Sequence, residues 1–373
     1  MKIRKICFYI FLTLLIISCE STKKESSQNC QGDNIKLENC LPQSDFRGAW
    51  VTNVASDALV SPENIKLTVR NAVKFGINNL FVVVWNKGVT QYPSEVLEKY
   101  IGIKQDLNFN GFDPLKLLIE ESHKEGIKVH AWFEFGFSYA YNDLNSIWLN
   151  KYPDWAGRDS DGNLLKKNNF LWWNAINPEP QKFLLDLIKE VVVNYDIDGI
   201  QGDDRLPAMP SEGGYDDFTK KLYFDDFGNE PPLNSKDENW LKWRSDKLSE
   251  FGKAVYNSVK KIDPDVTVSW APSIYPWALR EYLQDWPKWL KEGYADFIIP
   301  QFYRRNIEDY KKIIDQIDQQ VSSDEKNKIY SGVLSSLGDG YRVEDSLLIE
   351  MINYHRSKGI NGEVFFYYET FNR

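Results

Sequence analysis

Four acidic side chains stand at the ends of apolar segments in this 373-residue chain. Asp203 and Asp204 close IDGIQGDD (197–204), Glu134 sits near the end of IKVHAWFEF (127–135), and Glu369 near the end of GEVFFYYET (362–370). Carboxyl groups brought together in pairs can cut a glycosidic bond. One stays ionised as nucleophile or base, and the other is held protonated as the acid by apolar surroundings and neighbouring negative charge. Burying acids among tryptophans and tyrosines opposes folding, which argues against a purely structural role. The bland alternatives are that Asp203 and Asp204 cap a loop or pair with Arg205, and that Glu369 pairs with Arg47 or Arg373.

Side chains alternate along a strand, so polar residues spaced by two within an apolar run share its inward face. This rule groups His130, Trp132 and Glu134. It also groups Gln201 with Asp203, Gln301 with Tyr303, and Tyr367 with Glu369. Asn53 and either Trp85 or Asn86 come from the first two apolar runs. The second signal is aromatic, with 13 Trp, 20 Tyr and 21 Phe, many of the tryptophans near the same ends: Trp50, Trp85, Trp132, Trp155, Trp172, Trp173, Trp270 and Trp277. An indole face matches the C–H face of a sugar ring while its N–H reaches a hydroxyl. The adjacent pair in LWWNAINPEP, Trp172 and Trp173, is the expected sugar platform.

The elements that must hold these residues follow a rhythm. Apolar runs at 46–54, 78–86, 127–135, 197–204, 266–273, 296–303, 328–336 and 362–370 read as eight strands. Amphipathic helices fall between them, among them 61–76 with Ser61 as cap and Pro62 in its first turn, 113–126 from Asp-Pro to Gly, 178–196 and 238–262. Nearly continuous apolar strands alternating with helices imply a parallel sheet, and eight such units imply an α/β fold closed as a (β/α)8 TIM barrel. The first strand lacks the glycine-rich phosphate turn of an open doubly wound sheet. The usual last helix has no counterpart after the eighth strand, which leaves a seam for residues 20–45 to cover. Loops after strands two, three and four are long and the opposite turns short, which puts the chemistry on the C-terminal rim.

Before the barrel, residues 1–18 have the proportions of a secretion signal: Lys2, Arg4 and Lys5, then an apolar run too short to span a bilayer comfortably. Ile16-Ile17-Ser18-Cys19 resembles the lipobox of bacterial lipoproteins, so Cys19 is the expected site of lipidation and residues 19–45 a polar tether. An exported pair, Cys30 and Cys40, is expected to form a disulfide. The expected location is the cell envelope. Lys+Arg number 45 against Asp+Glu 54, a net charge of −9 that excludes nucleic acid as a partner held by bulk charge. The Asp-rich turns DSDG (159–162) and FDDFGNE (224–230) lack calcium-loop spacing. Neither a metal nor an organic cofactor is expected.

In order, FRGAWVTNV, YPSEVLEKY, GFDPLKLLIEESHKEGIKVHAWFEFG, YPDW, NPEPQKF, NYDIDGIQGDD, PQFY and GEVFFYYE resemble the glycosyl-hydrolase-like barrel family of family-10-like glycosylhydrolase lipoproteins, formerly a domain of unknown function. The likeness covers 46–373. It implies a TIM barrel, often exported, that hydrolyses a glycan; one branch cleaves peptidoglycan strands stripped of stem peptides. The family's acidic pair falls on Asp203 and Asp204, and its strand-six motif on Pro300, Gln301 and Tyr303. The sequence thus predicts a glycoside hydrolase acting on an oligo- or polysaccharide. Asp203, then Asp204, is the expected ionised group and Glu134 or Glu369 the proton donor. Asn53, Trp85, His130, Trp132, Trp172, Trp173, Arg205, Trp270, Gln301 and Tyr303 are the expected sugar contacts. The rival expectation is a glycan-binding lipoprotein without catalysis.

Overall fold

The computed structural model describes residues 36–109 and 111–372. Eight parallel strands form one sheet: β1 (Arg47–Val51), β2 (Asn79–Val83), β3 (Lys128–Phe133), β4 (Gly199–Gly202), β5 (Thr267–Trp270), β6 (Phe297–Ile298), β7 (Ser331–Leu334) and β8 (Glu363–Phe366). The spatial order is β6-β5-β4-β3-β2-β1-β8-β7. Parallel bridges Ile298–Ile329 and Gln301–Gly332 join the two ends, so the sheet closes into a (β/α)8 barrel. All eight expected strands are present, each trimmed to the part that pairs.

The helices form where their ends are chemically marked. Pro62–Lys74 starts with the Ser61 hydroxyl accepting from the Asn64 amide, and Pro114–Lys124 with the Asp113 carboxylate accepting from Lys116. Pro178–Asn194 is capped by Asn177, and Glu238–Ile262 by Asp237. Each lays an apolar stripe on the barrel. In Pro178–Asn194 the stripe is Phe183, Leu184, Leu187, Ile188 and Val191, all buried.

The interior is stacked in layers. At the N-terminal end Phe81 lies flat on His130 at 4.5 Å, with Phe297 edge-on to His130 at 6.0 Å. Above them Trp50 donates its indole N–H to Gln201 Oε1 at 2.7 Å, and Gln201 Nε2 donates to Ser269 Oγ at 3.2 Å. Thr52, Glu134, Asp203 and Gln301 come next, at the C-terminal rim. This stacking satisfies the buried polar atoms of Trp50, Gln201 and Ser269 on one another inside a packed barrel.

Past β8 the chain enters a 3-10 turn, Tyr368–Thr370. Phe371 then packs on Phe75 and Phe365, and Tyr368 accepts from Asn71. On the N-terminal side Leu37, in the short helix Leu37–Cys40, is buried in the same core. Arg47 reaches the Pro42 carbonyl and Arg356 that of Gln43, so residues just before β1 also lie against the barrel. Cys40 is disulfide-bonded. Cys19 and Cys30 lie outside the described residues. Among those described, no helix is long and apolar enough to cross a membrane.

Candidate active site

Long loops build the C-terminal rim. After β2 a small hairpin pairs Trp85–Asn86 with Val89–Thr90. After β3 an antiparallel sheet pairs Ser138–Tyr141 with Phe170–Trp172, and the latter with Lys166–Lys167. After β4 the chain turns immediately at Asp203, Asp204 and Arg205.

Arg205 gathers the acids. Its Nη2 lies 3.4 Å from Glu134 Oε1 and 3.6 Å from Asp203 Oδ2, while Nη1 lies 3.2 Å from Asp204 Oδ1. Its Nε donates to the Glu134 carbonyl at 3.0 Å. Strands β3 and β4 are neighbours, so the side chains that follow their last inward positions meet at one point of the rim. The approach depends on Gly136: a Cβ there would sit 2.0 Å from the Arg205 carbonyl oxygen, and Gly136 has φ +51°. That carbonyl instead accepts the Phe137 amide at 2.9 Å. The Phe170 ring covers the guanidinium at 4.8 Å.

The two inner carboxyls are solvated differently. Glu134 Oε2 accepts from Asn86 Nδ2 at 3.0 Å and weakly from Thr52 Oγ1 at 3.4 Å, while Oε1 accepts from Arg205 Nη2. Asn86 also donates to Asn53 Oδ1, and Asn53 to Gln91, which fixes the amides in a row. Asp203 Oδ1 accepts from Gln301 Nε2 at 2.7 Å, and Gln301 is steadied by the Ala271 carbonyl. Burial, the Asp204 charge and the Glu134 charge push the Asp203 carboxyl well above the usual carboxylate range, against the pull of Arg205. Burial also raises Glu134, with Arg205 opposing. Burial and the same three acids raise the Tyr303 phenol, so it stays a neutral donor beside them. Arg205 is held above its ordinary value because the acids outweigh its burial.

Glu134, Asp203, Asp204, Arg205, Gln301, Tyr303 and Asn53 therefore share one region. Glu369 does not join them. It lies in the turn after β8, where it accepts from Ser56 Oγ at 2.6 Å and from Asn372. His130 faces inward as expected but at the opposite end of the barrel, bonded through Nε2 to Asn79 Oδ1 at 2.9 Å. Burial lowers its pKa to about 4, so it stays neutral. It lines a cavity of about 550 Å³ at the N-terminal end that contains none of the rim carboxylates.

The tryptophans are placed unlike the expected platform. Trp172 and Trp173 are each 1% exposed. Trp173 stacks on Trp85 and Tyr139 and meets Trp148, Trp155 and Phe183 edge-on, which makes it the core of the β3 loop. Trp85 is locked there too, donating to the Gly136 carbonyl. Trp270 faces outward, against Trp289 and the Tyr294 carbonyl. Trp132 is enclosed in the barrel beside Trp50. The residues not foreseen are Thr52, Gln91 and Phe170. Thr52 was legible as the next inward position after Trp50, whereas Phe170 carries no local signal. Among the described residues no group of three or more His, Cys, Asp or Glu is arranged to hold a metal ion.

Glycosyl hydrolase DigH of Escherichia coli strain K12 is 25% identical over 353 residues, covering 81% of this chain and 76% of the relative. Glycosyl hydrolase YngK of Bacillus subtilis strain 168 is 25% identical over 299 residues, covering 72% and 56%. Among solved structures, the PgaB (BpsB) glycoside hydrolase domain of Bordetella bronchiseptica superposes with a TM-score of 0.65 at 13% identity, covering 87% of this chain and 94% of that one. The catalytic domain of a Paenibacillus polymyxa β-amylase gives 0.58 at 11%, covering 87% and 92%. These two likenesses carry the fold. The model of one family, glycosyl hydrolase-like 10, matches residues 45–347, and the chain belongs to that glycosyl hydrolase-like 10 family.

Proposed function

We propose that the protein hydrolyses a glycosidic bond of a bacterial or environmental glycan, with Asp203 as the proton donor and Glu134 as the ionised partner. One observation carries the reading. Two carboxyls from adjacent strands touch the same Arg205 Nη2 (3.4 and 3.6 Å) yet sit in unequal surroundings. Glu134 receives donors from Asn86, Thr52 and Arg205, which favour its anion. Asp203 is more deeply buried, and its carboxyl is pushed well above the usual range by burial and the Asp204 and Glu134 charges, which supports assigning the proton to it. This reverses the roles expected from the sequence.

In the reaction Asp203 gives its proton to the departing glycosidic oxygen. Glu134 attacks the anomeric carbon or activates water against it, and the neutral Tyr303 hydroxyl donates to a sugar oxygen. Arg205 balances the negative charge that remains among the acids during the step. Because Asp203 must hold its proton and Glu134 must lose its own, activity falls as pH rises through the elevated Asp203 value and as it drops below that of Glu134.

The test is reducing-end release from peptidoglycan glycan strands and defined oligosaccharides. Asp203→Asn and Glu134→Gln are each expected to lose about 10²- to 10⁴-fold in rate with the fold retained. Full activity in both variants refutes the assignment. The second reading, a glycan-binding protein without catalysis, draws on the ion pairs Arg205 makes to all three acids; binding without release of ends would support it. The reading includes a location: export directed by residues 1–18 and a lipid on Cys19 would hold the enzyme at the cell envelope, which labelled-lipid incorporation lost in Cys19→Ala tests.

A further inference from the structure

With the tryptophan pair enclosed, the exposed aromatic surface beside the acids lies elsewhere. Phe170 covers Arg205 on one side and meets Tyr141 at 5.0 Å in an edge-to-face contact on the other. Arg205 touches Glu134, Asp203 and Asp204, so an aromatic edge runs outward without a break from the carboxylates to Tyr141. Tyr141 is 51% exposed.

This edge is held in place. Tyr141 and Phe170 are register partners in the antiparallel sheet. Just beyond them the Asn142 amide donates to the Asn169 carbonyl at 2.9 Å, with Asn142 and Asn169 at φ 52° and 68°. Beneath, Trp172 and Trp173 pack into the loop core. A flat ring fixed on a braced hairpin loses little freedom when a ligand lies on it, so more of the contact appears as affinity. An isolated exposed tyrosine would need no explanation. This one differs because, among the described residues, its ring partner is Phe170, which covers Arg205.

We propose that Tyr141 and Phe170 form a sugar-stacking subsite, about one sugar removed from the bond cleaved, that takes the C–H face of a pyranose in a longer glycan. This rests on the glycan reading of the same rim. The experiment uses the full chain with Tyr141→Ala and Tyr141→Trp against β-1,4-linked N-acetylglucosamine, β-1,4-glucose and α-1,4-glucose oligomers of two to six units. The expected result is that Tyr141→Ala raises KM about tenfold for the longest active oligomer, leaves kcat alone and spares the shortest, while Tyr141→Trp restores the wild-type value. An unchanged KM at all lengths, or an equal loss at all lengths, overturns the subsite and leaves the hydrolase reading standing. If the wild type releases no ends, calorimetric titration with the six-unit oligomers decides: binding that Tyr141→Ala abolishes upholds the subsite while the hydrolase reading falls. Neither binding nor turnover overturns both.

Discussion

Replacing Arg205 with methionine tests the electrostatics of the rim without knowledge of the substrate. Methionine preserves most of the packing under Phe170 and removes the only cation touching Glu134, Asp203 and Asp204 among the described residues. Breaking a buried ion pair by deleting one partner costs about 3–5 kcal/mol, because the remaining charge is left uncompensated. Here the acids can escape by binding protons, so the cost depends on pH. Asp203 and Glu134 already have raised values in the folded state. Between the ordinary carboxylate range and those values the native state binds more protons than the unfolded chain, and stability falls as pH rises. Without Arg205 the folded values rise further and the window widens. Each additional bound proton makes the slope steeper by about 1.4 kcal/mol per pH unit. Urea denaturation at about pH 4.5 and pH 7.5, on wild type and variant, should therefore give a deficit near 3–5 kcal/mol at the higher pH that shrinks toward the lower. A deficit of equal size at both, or larger in acid, refutes the claim that these carboxylates share one cation.

Glu363 should behave in the opposite sense. Fully buried at the start of β8, it is held by Arg47 and Arg356, both at 2.8 Å, and by His355 at 3.5 Å. Burial alone would raise its pKa, but His355, Arg47 and Arg356 outweigh it and keep it below the ordinary glutamate value. Its stabilisation is present above the unfolded value and lost as pH falls through the folded one. Glu363→Gln should cost about 3 kcal/mol near neutrality and progressively less below about pH 4, read by the same denaturation series. Gly136→Ala should destabilise by more than about 1 kcal/mol and lower glycan turnover, since the new Cβ must displace the Arg205 backbone from 2.0 Å. A melting temperature and rate equal to wild type would show that Arg205 is positioned some other way.

Much of the fold was legible because its signals are local. Apolar runs marked each strand, and Ser61-Pro62 and Asp113-Pro114 marked where helices begin. The rim acids were legible for the same reason, since Asp203 and Glu134 end inward-facing sets. Period two gives a face but not a depth, which is why His130 and Glu134, on one face of β3, lie at opposite ends of the barrel. Glu369 escapes the rule because pairing in β8 ends at Phe366 and the chain turns, so alternation no longer applies. The tryptophan pair misled because composition cannot say whether a ring is enclosed. That depends on the remote partners Trp85, Trp148 and Phe183, and only the assembled β3 loop shows that Phe170 and Tyr141 hold the outer positions.

The barrel is not equally well stitched all round. β6 pairs over two residues on one side and meets β7 through isolated bridges on the other, whereas β8 is clamped between β1 and β7 and pinned by Glu363. Opening costs least where ladder bonds are fewest. Gln301 and Tyr303 follow this sparsely paired strand, while Glu134 and Asp203 follow β3 and β4, which pair with each other over four residues. On the proposed reading, the acids stand on stiff timber and the amide and phenol that would meet sugar hydroxyls on a more compliant plank, tied to Asp203 by the single Gln301 hydrogen bond.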